Sequence, residues 1–589
     1  MKGYIKQFFY LLDAPAKKGI PLLILAFIFS SILDVIGVGL IGIFLGLLTN
    51  PHFFFEKFPT IAFLLHGISE KKLIIFSGLL IVFAFATKAI ITLTIQTKII
   101  FFCQSLAVRL KTRMMMAYQY APYIYHLEKN SAYLISKIQD NVNSFIGNIL
   151  LAVLNLISNG LITAAILLFL AFLHPFLTIF LLGMFFLVGF SFDLFVKRKL
   201  STMGKIVALS NGEMIKSIHH GLNGVTEIRV LGREDYFLQC LNKVSYQYAH
   251  AAGVIVALQQ IPRYLIENMM AIFIIGLSMG GIIAGFGMSS VIAMVGMFAA
   301  AGARLLPTVT QIMSTINQMR GSSYHMQLVY EELNRLDTMA LDIAKLKSLS
   351  QNATKLPFSA IQLKHIAYQY PNTTHYALQD IDITLSKGQS IGLIGPSGAG
   401  KSTLVNVILG FLEPQKGELC VDGQSILHLR AWLNNFAYIP QSIFLLDDTL
   451  RRNIALGIVD EEIDEIQIWN AIKLAQLVEV VHQMPNGLDT FIGENGIRLS
   501  GGQRQRVALA RAFYHERDII IMDEATSSLD NETEKEVINT IKRLKGDKTL
   551  IVIAHRLSTV EHCDVLYRLE KGCITAIGSF QEVVGEAIS

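Results

Sequence analysis

From residue 141 to residue 192 the chain runs for 52 residues without an Asp, Glu, Lys or Arg. One helix needs about 20 apolar residues to cross the roughly 30 Å of hydrocarbon in a bilayer, so this run must hold two crossings. His174-Pro175 lies near its middle, where proline most easily ends a helix, and predicts spans over 145–171 and 175–195. A second charge-free run, 268–303, has a glycine-rich turn at Gly280, Gly281, Gly285 and Gly287 and predicts spans over 264–282 and 288–310. Apolar stretches at 20–48 and 73–97 bring the expected number to six. Composition agrees, because 52% hydrophobic and 16% charged residues exclude a disordered chain and are too apolar for a soluble enzyme of 589 residues.

Loop charge predicts orientation. Segments 98–140 (six Lys+Arg, two Asp+Glu) and 193–263 (nine against five) are long and basic, whereas the turns near 174 and 284 carry no charge. The positive-inside rule then puts the long loops and both termini in the cytoplasm, with helices running on below the bilayer. Residues 1–19 predict a retained amphipathic helix on the inner surface, with Tyr4, Ile5, Phe8, Phe9 and Leu12 opposite Lys2 and Lys6. Segment 50–70, with Phe53, Phe54, Phe55, Phe58 and Phe63, predicts either aromatic anchors at the outer interface or a surface that touches a lipid substrate. The five cysteines have no metal-site or disulfide spacing, which suggests a reduced cytosolic side.

The second half is different in kind. Residues 1–340 carry net +11 and 341–589 net −6. A linker is expected over 341–357 and an α/β domain over 358–589. An apolar strand at 391–394 runs into Gly395-Pro396-Ser397-Gly398-Ala399-Gly400-Lys401-Ser402-Thr403. Glycines there let backbone N–H groups turn inward around phosphates, the helix start adds positive potential, Lys401 reaches the outer phosphates and the Ser402 hydroxyl can hold Mg²⁺. Farther on, Ile519-Ile-Ile-Met-Asp523-Glu524 is an apolar strand ending in two carboxylates. Asp523 is placed to bind Mg²⁺ through water and Glu524 to polarise the attacking water as a general base.

Between them Leu499-Ser500-Gly501-Gly502-Gln503 opens a basic helix with Arg504, Arg506 and Arg511. With this signature the whole chain resembles the ATP-binding cassette (ABC) family. The resemblance implies that Tyr370 stacks on adenine, that Gln441 senses Mg²⁺ and the membrane domain, that Asp530 communicates across a dimer and that His555 contacts the γ-phosphate. It also implies a working ATPase, and a homodimer, since each ATP site in the family is completed by a partner's signature. A membrane domain fused ahead of its cassette resembles the exporters of that family: a six-helix all-α domain followed by a P-loop α/β cassette, in a bacterial inner membrane. Nucleic acid is not an expected partner.

For the cargo, segments 123–138 (YIYHLEKNSAYLISKI), 221–235 (GLNGVTEIRVLGRED), 262–267 and 304–307 resemble bacterial flippases of lipid-linked oligosaccharides. Lys88, Arg263 and Arg304 fall inside or at the ends of predicted spans, where a basic side chain costs about 2.5 to 3.5 kcal/mol at a helix centre, so they are candidates to line a wet cavity and hold an anionic head. Against this, Arg263 stands four residues before Glu267 and can pair with it, and Lys88 can snorkel to the interface. The expectation is an ATP-driven exporter or flippase of an amphipathic, anionic, lipid-linked substrate. The alternatives are a multidrug or lipid A type exporter, a peptide exporter and, from another class, an ATP-gated channel or regulator.

Overall fold

The computed structural model describes residues 2–49, 70–339, 354–371, 373–425, 429–523, 531–553 and 556–585. The chain divides into two compact units, Met1–Ala121 with Tyr125–Leu341 and Pro122–Ile124 with Asp342–Ser589. The phenylalanine-rich segment up to residue 69 and the linker up to residue 353 lie outside the described residues.

The first unit is helical. Its elements are α1 (Lys2–Leu11), α2 (Ala14–Thr49), α3 (Glu70–Gln119), α4 (Tyr123–Glu128), α5 (Ser131–Leu173), α6 (Pro175–Asn223), α7 (Val225–Leu231), α8 (Glu234–Ile283) and α9 (Met288–Met339). Asp13 turns the chain from α1 into α2: its carboxylate accepts from the Ala16 N–H at 2.9 Å and pairs with Arg109 of α3. At His174 (φ −141°, ψ 79°) the helix breaks, and Pro175 takes the first position of α6, where its missing N–H is harmless. Gly285, at φ +76°, turns the chain between α8 and α9.

Among the described residues five helical stretches are long and apolar enough to cross a membrane: Ala14–Gly37, Ile74–Gln119, Ser131–Leu173, Pro175–Asn223 and Glu234–Ile283. The expected sixth span falls on α9, part of whose span lies outside the described side chains, so the described residues hold five candidate spans. Phe172, Phe176 and Phe195 are more than 80% exposed, an apolar surface that lipid covers and water does not. Opposite that surface, Ile166 and Leu170 of α5, Leu181 of α6, Ile266 and Phe273 of α8, and Phe298 and Leu305 of α9 form a buried seam. α6 and α9 approach closely at Gly204, where an added Cβ would sit 1.8 Å from the Gly321 carbonyl oxygen. Two π-helical turns, Lys137–Asn141 and Ile146–Leu150, interrupt α5. Along them Asn141 bonds His325 at 2.7 Å and Asn148 bonds Gln318 at 2.9 Å, both partners lying on α9.

The second unit holds two sheets. β1 (Ala360–Tyr368), β2 (Leu378–Ser386), β4 (Lys416–Val421) and β5 (Gln424–Ser425) form an antiparallel sheet in the order β2-β1-β4-β5. The larger sheet contains β3 (Ser390–Ile394), β6 (Phe436–Ile439), β7 (Ile519–Asp523), β8 (Thr549–Ile553), β9 (Val565–Glu570) and β10 (Cys573–Gly578), in the order β10-β9-β3-β8-β7-β6. All its neighbours are parallel except β9 and β10. β3, β7 and β8 are buried at every position, which explains why they read as unbroken apolar runs instead of alternating ones. Helices α10 (Lys401–Ile408) and α11 (Gly501–Tyr514) share buried cores with these strands, and α12 (Asn531–Leu544) joins β7 to β8 along the chain. In the same unit Tyr123 stacks on Phe411 with ring centroids 5.2 Å apart.

Candidate nucleotide site

The loop between β3 and α10 is bent by its glycines. Gly395 (φ +146°) has no room for a Cβ, which would lie 2.1 Å from the Leu569 carbonyl oxygen, and Gly400 (φ +103°) is in the same position 2.6 Å from that of Ala377. Around Gly398 (φ +78°), by contrast, a Cβ would meet nothing within 4 Å. The loop therefore presses its outer glycines against the fold and leaves space over its middle. Lys401 is buried, and its ammonium donates to the carbonyls of Gly395 at 2.7 Å and Pro396 at 2.9 Å.

This space is part of a 470 Å³ cavity whose lining includes Tyr370, Ser397 to Thr403, Gln441 and Asp523. Tyr370 is placed by a 3.2 Å contact between its hydroxyl and that of Thr403, and by an edge contact with Tyr368. Asp523, at the end of β7, is 7% exposed. Sequence reasoning missed Tyr438 on the neighbouring strand β6, whose hydroxyl lies 3.4 Å from Asp523 Oδ2. Burial and then the Asp523 carboxylate push the Tyr438 phenol up from its ordinary value. Only pairing of β6 with β7 brings the two together, so no local pattern could have shown it.

The signature residues stand elsewhere in the unit and do not line this cavity. Ser500 and Gln503 form a capping box on α11: the Gln503 N–H donates to Ser500 Oγ at 3.2 Å, and the Ser500 N–H to Gln503 Oε1 at 2.9 Å. The arginines of α11 serve the fold, since Arg506 donates to the Gln476 carbonyl at 2.7 Å and Arg511 to those of Asn453 and Phe444 at 2.9 and 3.0 Å. Glu524, Asp530 and His555 lie outside the described residues.

Of the three basic residues expected to line a cavity, Arg263 meets Glu267 Oε1 at 2.8 Å on the same helix face. Lys88 is 7% exposed with its ammonium 5.4 Å from the centre of the Phe85 ring. Arg304 is half-buried one turn before Thr308, which bonds Thr163 of α5 at 3.1 Å.

Residues 19–297 match the ABC transporter transmembrane region, and residues 378–527 match the ABC transporter family. The chain is 30% identical over 474 residues to an ATP-dependent lipid A-core flippase of Saccharophagus degradans, covering 79% of this chain and 77% of that one. The chain belongs to the ABC transporter family. This ABC transporter is also 42% identical to the ATP-dependent lipid A-core flippase of Cupriavidus pinatubonensis, over 224 residues and 38% of each protein. Its fold is similar to the structure of a bacterial Atm1-family ABC exporter with ATP bound, with a TM-score of 0.74 at 20% identity, over 97% of this chain and 96% of that one. The ABC transporter is thus a multi-pass membrane protein of the exporter type that joins a membrane region and one ATPase cassette in a single chain, an ATP-driven translocase.

Proposed function

We propose that this ABC exporter is a flippase for an amphipathic, anionic lipid of the lipid A type, working as a homodimer in the bacterial inner membrane with both termini in the cytoplasm. The observation that carries the cargo is the name shared by relatives matched over most of the chain, ATP-dependent lipid A-core flippase. It favours lipid A over the lipid-linked oligosaccharide suggested by the short resemblances at 123–138 and 221–235. The ion pair of Arg263 with Glu267 weakens the case for a bare cationic cavity.

In the proposed cycle ATP lies over Gly398, with adenine on Tyr370 and the outer phosphates on Lys401 and the loop N–H groups. Ser402, Gln441 and Asp523 offer a set of oxygen donors around one cavity, which suits a hard cation. They would hold Mg²⁺, which neutralises charge on the phosphate oxygens. Glu524 orients and polarises the attacking water, His555 donates to the γ-phosphate, and Asp530 links the two sites of the dimer. Because residues 499–503 do not line the chain's own cavity, a second copy supplies the signature that closes it.

The test is headgroup translocation in liposomes holding the purified protein. Fluorescent lipid A, a polyprenyl-pyrophosphate glycan and phosphatidylethanolamine are compared with and without ATP. ATP-dependent movement of lipid A above the other two is expected. Movement of the glycan alone would restore the oligosaccharide reading, and ATP-gated ion conductance without lipid movement would favour a channel.

A further inference from the structure

At the lower end of α5 and α9 a carboxylate is buried with a set of partners that nucleotide chemistry does not use. Glu332 of α9 is 6% exposed, Lys137 of α5 3% and Tyr125 of α4 1%. The Tyr125 hydroxyl donates to Glu332 Oε1, and the Lys137 ammonium lies 3.8 Å from Glu332 Oε2. A second layer repeats the link: the Arg335 guanidinium lies 5.4 Å from the centre of the Tyr125 ring and 3.6 Å from Glu128 at the end of α4. Tyr118, in the last turn of α3, stacks on Tyr125 at 6.0 Å, and its carbonyl meets His126 at 2.9 Å.

Apolar side chains could hold these helices together without the desolvation that two buried charges require. What apolar packing does not supply is direction, since methyl groups slide past one another while a carboxylate with fixed donors has one register. Lys137 also opens a π-helical turn, a local departure from the α-helix that re-aims the side chains around it and is often found at functional sites. Position matters too. Pro122–Ile124, the last two of which open α4, belong with the cassette's compact unit, and Tyr125 follows directly.

We propose that Glu332 is a positioning residue for coupling, one that with Tyr125 and Lys137 locks α4 and the start of α5 to α9, so that displacement of α4 during the ATP cycle is carried into α9. The assignment rests on ATP-driven translocation and is independent of which lipid is carried. Its three residues lie outside the nucleotide cavity.

The test uses the full-length protein in nanodiscs of phosphatidylethanolamine and phosphatidylglycerol. Hydrogen–deuterium exchange of α9 peptides covering 288–320 is compared with and without ATP and vanadate, beside ATPase rate and melting temperature. The triple variant Tyr125→Phe/Lys137→Met/Glu332→Leu replaces the joint by apolar groups of similar size and leaves no member of the triad orphaned. It is expected to melt close to the parent and to hydrolyse ATP within about twofold of it, while the nucleotide-dependent difference in α9 exchange falls at least about threefold. Tyr125→Phe, which removes only the α4 bond, is expected to show a partial loss and serves if the triple variant does not fold. A parental exchange difference in either variant overturns the proposal and leaves the buried pair as packing alone.

Discussion

Lys401 and Glu524 divide the work of the ATP site differently, and their substitution should separate binding from turnover. Glu524 is proposed to act on water and not to hold the nucleotide. Glu524→Gln should therefore lower ATPase turnover by at least about a hundredfold, the usual scale of a lost general base, and leave ATP binding near the parental value. Lys401→Ala removes a charge proposed to meet the phosphates and should weaken both. Nucleotide binding by fluorescence and phosphate release are the two measurements; near-normal turnover by Glu524→Gln would remove it from the mechanism. The loop that carries Lys401 could be read from the sequence because the chemistry there is local, with glycines, lysine and hydroxyls contiguous along the chain. Tyr438, Glu332 and Lys137 could not, because each acquires its role from a residue far away in sequence. Arg504, Arg506 and Arg511 look like a charged face but bond to backbone carbonyls within α11 and its surroundings, a use that residue type alone does not reveal.

Single elements carry two further predictions. At the end of α11, burial and then the neighbouring Arg517 and Arg511 charges push the His515 imidazole down to about 4. An unfolded chain would hold that proton below about 6.5, so the folded cassette binds fewer protons than the unfolded chain between these values. This contribution to stability is present above pH 6.5 and is lost as pH falls toward 4. Melting curves of His515→Gln should show a shallower fall across that window than the parent; identical slopes would mean that another group titrates. The second prediction concerns α6 and α9, which meet at Gly204. A methyl group there collides with backbone, which cannot give as a side chain does, so Gly204→Ala should destabilise by about 1–3 kcal/mol, seen as a lower melting temperature. Gly183→Ala on the same helix is the control, because its Cβ would meet nothing within 4 Å. The crossing helices were legible in the sequence because membranes exclude charge. This close approach was not, since Gly204 and Gly321 look like ordinary helix-interior glycines until the two helices are packed.

For the whole molecule, loop charge predicts which ends face which compartment. The described residues give five candidate spans, the apolar runs of the sequence call for six, and the loop charges call for both termini inside. Gly285 is exposed at the α8–α9 turn and Asn223 at the end of α6. In a cysteine-free background, Gly285→Cys should react with an impermeant maleimide in intact cells, whereas Asn223→Cys should react only after the cells are opened. Labelling of Asn223→Cys from outside would reverse the orientation.

The two carbonyl bonds of Lys401 also bear on how nucleotide is found. A cation exposed on a surface attracts ATP across a Debye length of about 8 to 10 Å, and added salt weakens that attraction. Here the ammonium is buried and already compensated by the dipoles of Gly395 and Pro396, so its field is felt only once the phosphates are inside the loop. Capture of ATP should then depend on shape and short-range hydrogen bonding more than on long-range steering. The KM for ATP is expected to change by no more than about twofold between 50 and 300 mM potassium chloride.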